Sequence, residues 1–189
     1  MSFTKLDAVN YCLMTIGESP INSLENLQVS DALFIKQIID NETINIQSQG
    51  WSFNTEDNFI LKQNQDGEII LPDNILFVDP EDYGINLVMR QGKLYDMTNQ
   101  TFKINKDVVA TIIWNLDFED LPYVAKRYIT VRSARVSCIK LLNDYDTYKV
   151  LDKEEYEALA ELQRYETSQG DYNVFRGSYS VMSVLDRRR

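Results

Sequence analysis

The residues that decide the fold class are Phe59-Ile60-Leu61, Gln65-Asp66-Gly67 and Ile69-Ile70-Leu71. Short runs of branched and aromatic residues, cut by a turn signal such as Asp-Gly, are typical of antiparallel strands. The pattern continues in the runs Ile75–Val78, Ile85–Met89, Lys93–Tyr95, Phe102–Ile104 and Val108–Trp114. We therefore expect an antiparallel β region within residues 51–120. Its turns are expected at Asp66-Gly67, near Gly84 and at Gly92.

Two helices are predicted before the β region. In the first, from about Leu6 to Ile16, the apolar residues share one face. Thr4 and Asp7 match a capping box at its start, and Gly17 is well placed to end it. The second is predicted from about Ser30 to Ser48. Its apolar residues form a broad band, which indicates contacts on more than one side.

Two more helices are predicted after the β region. Helical periodicity returns at Pro122, because apolar residues are then spaced mostly by threes and fours as far as Leu142. A fourth helix is predicted from about Asp152, which forms a capping-box pattern with Glu155, to about Thr167. Helices on both sides of a group of strands predict an α+β fold: a four-helix bundle with an inserted antiparallel β region.

The domain organisation follows from this order of elements. We expect one domain over residues 1–170, with helices in 1–50 and 121–169 and a β-insert at 51–120. Residues 171–189 are predicted to form an extended C-terminal arm that is too polar to fold alone. They are either a disordered terminus or an arm that becomes ordered on a partner. The candidate anchors of the arm are Tyr172, Phe175, Tyr179, Arg187, Arg188 and Arg189.

Charge is unevenly distributed in this chain, whose formal net charge is −10. The first 120 residues are acidic, residues 121–169 balance, and residues 170–189 carry four arginines against two aspartates. A general nucleic-acid binder needs a net basic face for the phosphates, so the charge argues against that class.

The composition excludes several catalytic classes. The chain has no histidine, which removes Ser-His and Cys-His nucleophile pairs and histidine-ligated zinc. Its glycines stand singly, so no phosphate-binding loop can be drawn and we expect no cofactor. Cys12 and Cys138 lack motif spacing and are predicted to be buried free thiols in a reducing compartment. No stretch approaches the ~20 apolar residues of a membrane span.

Three acidic groups remain as catalytic or metal-binding candidates: Asp79–Asp82, Asp117–Asp120 and Asp144–Asp146. Paired carboxylates can seat a metal or divide acid and base roles. Their spacing matches no calcium loop, however, and Asp is common in solvated turns and caps. A carboxylate-based polysaccharide hydrolase is the alternative function that these groups leave open.

The third predicted helix carries charge of one sign. It has no acid between Leu121 and Asn143, and its bases are Lys126, Arg127, Arg132, Arg135 and Lys140. Arg135 lies on the apolar stripe, where an unpaired guanidinium would be costly. We expect Arg135, with Arg132, to form an ion pair between helices or between subunits. The alternative is that Arg135 reaches past its neighbours to water.

Several motifs resemble the tail tubular protein A family of short-tailed bacteriophages, also called head-to-tail adaptors. The most specific are Ala8-Val9-Asn10, Ile16-Gly17-Glu18-Ser19-Pro20 and Gln47-Ser48-Gln49-Gly50-Trp51-Ser52-Phe53-Asn54. The later Leu121-Pro122, Arg127-Tyr128, Ala134-Arg135 and Tyr172-Asn173 follow in the family's order. The resemblance covers nearly the whole chain, and the β region departs most from the pattern.

This resemblance implies a non-enzymatic virion protein that forms a ring of about twelve copies. Such a ring joins the portal to a tail nozzle of the tail tubular protein B type. It lets double-stranded DNA pass without sequence-specific binding. The family implies a place in the phage tail after assembly in the host cytoplasm. On this interpretation the six arm residues bind the portal. A cellular regulator with the same fold would instead be a monomer or dimer without portal affinity.

Overall fold

The structure is a computed structural model that describes residues 3–25, 27, 30–81 and 86–177, with only the backbone described for 170–177. Its described residues combine α-helices with antiparallel sheets, so the α+β prediction is confirmed. The helices are α1 (Lys5–Thr15), α2 (Ser30–Gln47), α3 (Tyr123–Ser137) and α4 (Tyr145–Gly177). The strands are β1 (Thr55–Leu61), β2 (Ile75–Pro80), β3 (Leu87–Arg90), β4 (Lys93–Asp96) and β5 (Val108–Trp114).

The start of α1 is built as its sequence predicts. The Thr4 hydroxyl accepts a hydrogen bond from the Asp7 backbone N–H at 3.2 Å, and the Asp7 carboxylate accepts one from the Thr4 N–H at 2.9 Å. This capping box satisfies two donors that the first helical turn leaves free. At the other end, Gly17 has φ +82°, a left-handed conformation common after a helix and favourable for glycine.

The fourth helix starts earlier and ends later than predicted. The Asp144 carboxylate accepts hydrogen bonds from the backbone N–H groups of Asp146 (3.0 Å) and Thr147 (3.4 Å), so α4 is capped eight residues before the predicted cap at Asp152. The capping box at Asp152 and Glu155 is therefore wrong. The helix also continues to Gly177, so an extended arm beginning at residue 171 is wrong for residues 171–177. A single glycine inside a helix costs only about 1 kcal/mol and did not end this one at Gly170.

The third helix is interrupted before the predicted end at Leu142. After Ser137 the chain forms a π-helical turn, Cys138–Leu142, and Asn143 then adopts a left-handed φ of +53°. Asn is one of the few residues that tolerate this conformation. Both cysteines are buried free thiols, as predicted.

The chain divides into two compact units. The helical unit contains the described residues of 1–43 and 118–189, and the sheet unit contains those of 44–117. In the helical unit α3 packs against both α1 and α4. Lysine–carboxylate contacts from Lys5 and Lys36 converge on Asp40 of α2. Packing as a four-helix bundle stays a prediction.

The sheet unit has a three-stranded antiparallel sheet in the order β1-β5-β2 and a two-stranded hairpin, β3-β4. Ile69–Leu71 and Phe102–Ile104, predicted as strands, contribute only isolated bridges at Ile70 and Lys103. Turns occur at Asp66-Gly67 and at Gly92 as predicted, while the turn near Gly84 lies outside the described residues. The core of this unit is formed by Leu61, Ile69, Leu71, Ile75, Val78, Leu87, Leu94, Val108, Ala110 and Ile112.

Candidate functional site

A cluster of charged side chains joins α3 to α2 and α4. Arg132 donates from Nε to Glu42 Oε2 at 2.7 Å and from Nη1 to Glu155 Oε1 at 3.0 Å. Arg135 donates to the other oxygen of Glu155 and, at 2.8 Å, to the hydroxyl of Tyr148. The structure therefore brings the two sequence-predicted arginines together on one carboxylate.

Burial and charge act in opposite directions on these arginines. Burial by itself lowers the pKa of Arg132, but the hydrogen bond and charge of Glu42 and the charge of Glu155 raise the pKa above its ordinary value. The hydrogen bond with Glu155 likewise raises the pKa of Arg135, against burial. Glu155 is only 8% exposed. Because both guanidinium groups stay charged beside it, this cluster ties α2, α3 and α4 together.

Two other bases of α3 also meet groups within the helical unit. Arg127 forms an ion pair with Glu161 of α4. Lys126 is 4% exposed, and its Nζ donates to the backbone oxygens of Phe3 (3.1 Å) and Glu119 (2.8 Å). The periodicity of the sequence gave no sign that the chain before α1 would be anchored by a lysine more than a hundred residues away.

A groove lies in the helical unit where α1, α3 and α4 meet. Its volume is about 410 Å³, and its lining residues are Phe3, Tyr11, Tyr123, Arg127, Thr130, Val131, Glu154 and Glu157. The Phe3 and Tyr123 rings meet edge to face with centroids 6.0 Å apart. Tyr11 donates to Glu154 Oε2 at 2.8 Å, and burial, followed by this carboxylate, raises the pKa of Tyr11. The groove thus combines aromatic walls with an acidic rim.

The motif from Gln47 to Asn54 has a structural role in the sheet unit. The side chain of Asn54 is buried, with 2% of the residue exposed. Its Nδ2 donates hydrogen bonds to the backbone oxygens of Gln47 (3.0 Å) and Trp114 (2.8 Å). Its Oδ1 accepts a hydrogen bond from the backbone N–H of Trp51. The fully buried Gln47 side chain donates to the Leu116 oxygen and accepts from the Leu116 N–H, both at 2.9 Å. These amides fasten the end of α2 to the end of β5.

Asn10, in the first of the motifs, binds the residue that follows the motif from Ile16 to Pro20. The side chain of Asn10 donates to the Ile21 backbone oxygen at 3.0 Å and accepts from the Ile21 N–H at 2.8 Å. This pair of hydrogen bonds holds the chain that follows Pro20 against α1. The motifs that carry the family resemblance therefore include Asn10, Gln47 and Asn54, whose side chains hold two loops in place by hydrogen bonds.

The three acidic groups occupy different kinds of position. Glu119 accepts a hydrogen bond from the Lys5 backbone N–H at 2.8 Å, and Asp144 caps α4. Asp79 lies in β2, and Asp82 lies outside the described residues. Among the residues that the structure describes, no group of three or more His, Cys, Asp or Glu side chains is arranged to hold a metal ion.

The predicted arm residues are only partly covered. Tyr172 and Phe175 lie on the helical backbone of α4, where side chains are not described. Tyr179, Arg187, Arg188 and Arg189 lie outside the described residues. Their role in portal binding stays a prediction.

The charged and amide side chains described above hold together helices and loops of an α+β fold. A family model described as tail tubular protein matches residues 6–172. Tail tubular protein A of Klebsiella phage KP34 is 30% identical over 125 residues, which cover 66% of this chain and 66% of that protein. The chain belongs to the tail tubular protein family, and it is a structural protein of the bacteriophage tail. No described helix is long and apolar enough to cross a membrane.

Proposed function

We propose that this chain is the subunit of the adaptor ring that joins the portal to the tail nozzle and lines the DNA channel. The observation that carries the proposal is the tail tubular family match over residues 6–172. The fastened loops and the helical cluster around Glu155 support it, because a ring under packaging pressure needs subunits that keep their shape.

The charge of the sheet unit supports a channel role. Residues 44–117 contain eleven acidic against five basic residues. A channel surface of the same charge sign as DNA repels the duplex and lets it slide without adhering. We assign this unit to the channel and the nozzle side, and the helical unit and the C-terminal segment to the portal side.

Electron microscopy of the purified protein mixed with portal and nozzle tests the ring directly. We expect closed rings of about twelve copies between the two partners. A protein that stays a monomer or dimer in the presence of both partners contradicts the proposal.

The portal contact is assigned to Tyr172, Phe175, Tyr179, Arg187, Arg188 and Arg189. A chain cut after Gly177 retains the whole of α4 and should keep its helical circular dichroism, while its binding to immobilised portal should fall strongly. Retention of full portal binding by this shortened chain would remove residues 178–189 from the interface.

The channel role is tested by neutralising exposed acids of the sheet unit. Replacing Asp57, Asp73 and Asp107 with asparagine should slow genome ejection, measured by DNA release from assembled particles. Unchanged packaging and ejection would exclude a contribution from these charges.

On this proposal the subunit has no catalytic role. The protein incubated with host capsular polysaccharide should release no reducing ends. Release that is lost on replacing Asp117, Glu119 and Asp120 with their amides would instead favour a hydrolase.

A further inference from the structure

We propose that the groove between α1, α3 and α4 binds residues 178–189 of this same chain before that segment meets the portal. The inference rests on the proposed function only in treating the segment as the portal-binding arm. The groove and the segment have opposite charges and both contain apolar groups, and the segment is long enough to reach the groove.

The groove has the chemistry of a site for guanidinium groups. Its rings at Phe3, Tyr11 and Tyr123 offer faces to a cation, and the two glutamates on its rim, Glu154 and Glu157, offer carboxylate oxygens. Arg127 also lines the groove, but its charge is offset by the ion pair with Glu161. The remaining charge of the lining is therefore negative.

The segment has the complementary composition. Residues 178–189 contain three arginines and one aspartate in a chain whose net charge is −10. Next to the arginines stand the apolar residues Val181, Met182, Val184 and Leu185. Apolar contact with the walls of the groove and ion pairing at its rim are thus both available to one short peptide.

The segment is also long enough to reach the groove. Glu157 lies twenty residues before the end of α4 at Gly177, a distance of roughly 30 Å at 1.5 Å per helical residue. The twelve residues that follow Gly177 can span up to roughly 40 Å when extended. The arm of one copy can therefore return along its own helix.

The consequence is that the groove competes with the portal for the arm during assembly. While the groove holds the arginines, they are unavailable to an acidic surface elsewhere, and the portal must compete with a tethered ligand. Tethering gives the arm a millimolar effective concentration at the groove, so only a partner that binds the arm more tightly can release it.

The test uses the full-length chain and a labelled peptide of sequence 178–189, with binding followed by fluorescence anisotropy. A receptor carrying Arg187→Glu, Arg188→Glu and Arg189→Glu has an arm that cannot occupy the groove. We expect this receptor to bind the peptide about tenfold more tightly than the unmodified chain, whose own arm competes. Equal affinity of the two receptors overturns the proposal.

The location of the peptide-binding site is tested in the receptor that carries the three Arg→Glu substitutions. Glu157→Lys should weaken peptide binding about fivefold, whereas the same charge change at Glu25, in the loop between α1 and α2, should leave it unchanged. Tyr123→Ser, at a ring that is 62% exposed, removes a wall of the groove without touching the core and should weaken binding about threefold. If neither groove variant weakens binding, the peptide binds elsewhere and the proposal that the groove holds residues 178–189 is wrong. Portal binding is measured separately, so its loss or retention does not bear on this result.

Discussion

Arg132 of α3 donates to Glu155 of α4 at 3.0 Å, across 23 residues of sequence. The second oxygen of the same carboxylate accepts from Arg135, so one buried glutamate holds two arginines of the neighbouring helix. Removing the carboxylate would leave two partly buried guanidinium groups without this partner.

We expect Glu155→Gln to lower the free energy of unfolding by about 2 kcal/mol. Breaking a buried ion pair typically costs more, but Arg132 is one-third exposed and its charge is partly screened by solvent. Urea denaturation followed by circular dichroism measures the change. Asp152→Asn is the matched control, because Asp152 is 64% exposed and lies 3.8 Å from Arg135; it should cost about 0.5 kcal/mol or less. Equal losses in the two variants would contradict the role of Glu155.

Asn54→Ala should destabilise the protein by about 2 kcal/mol. The substitution leaves the backbone oxygens of Gln47 and Trp114 and the N–H of Trp51 without their buried partner. Thermal unfolding should show a lower midpoint, with the near-ultraviolet signal of the tryptophans changed. Asn41→Ala on the exposed face of α2 is the control and should have little effect. A loss no larger than that of the control would show that these hydrogen bonds are replaced by water.

Gly50→Ala should cost more stability than Gly92→Ala. Both glycines have left-handed φ angles, +74° and +69°, which cost an alanine about 1 kcal/mol. A Cβ at Gly50 would also lie 2.9 Å from Cδ1 of Ile113, whereas one at Gly92 would meet nothing within 4 Å. The difference between the two denaturation free energies measures the crowding alone. A larger loss for Gly92→Ala would contradict the predicted order.

The cap of α4 should make the stability of the protein depend on pH. The Thr147 hydroxyl, followed by the backbone N–H groups of Thr147 and Asp146, donates hydrogen bonds that lower the pKa of Asp144 below its ordinary value. The resulting stabilisation is complete above the pKa of the unfolded carboxyl, about 3.9, and is lost as the pH falls through the lower pKa of the folded protein. Asp144→Asn keeps a capping oxygen but cannot titrate. Its denaturation midpoint should therefore fall less between pH 5 and pH 2 than that of the parent chain. An equal fall in both proteins would show that the cap does not contribute to the pH dependence of stability.

The boundaries that were predicted well depend on neighbours in sequence. The capping box of Thr4 and Asp7 spans three residues, and the Asp66-Gly67 turn closes on itself. The predicted start of α4 is wrong because Asp144, and not Asp152, supplies the cap. In the folded chain Glu155 pairs with Arg132 and Arg135 of α3 and does not cap a helix.

By itself the sequence determined the fold class, the order of helices and strands, the cap of α1, the turns at Asp66-Gly67 and Gly92, and the family through its motifs. These properties follow from local spacing and residue type, which the chain carries before it folds. Only the tertiary structure decided that the basic face of α3 is largely paired within the chain. It also decided that Gln47, Asn54 and Asn10 fasten loops, and that aromatic rings and glutamates form a groove. Those outcomes depend on contacts between residues far apart in sequence, because burial forces each buried charge and amide to find a partner wherever the packed helices and strands supply one.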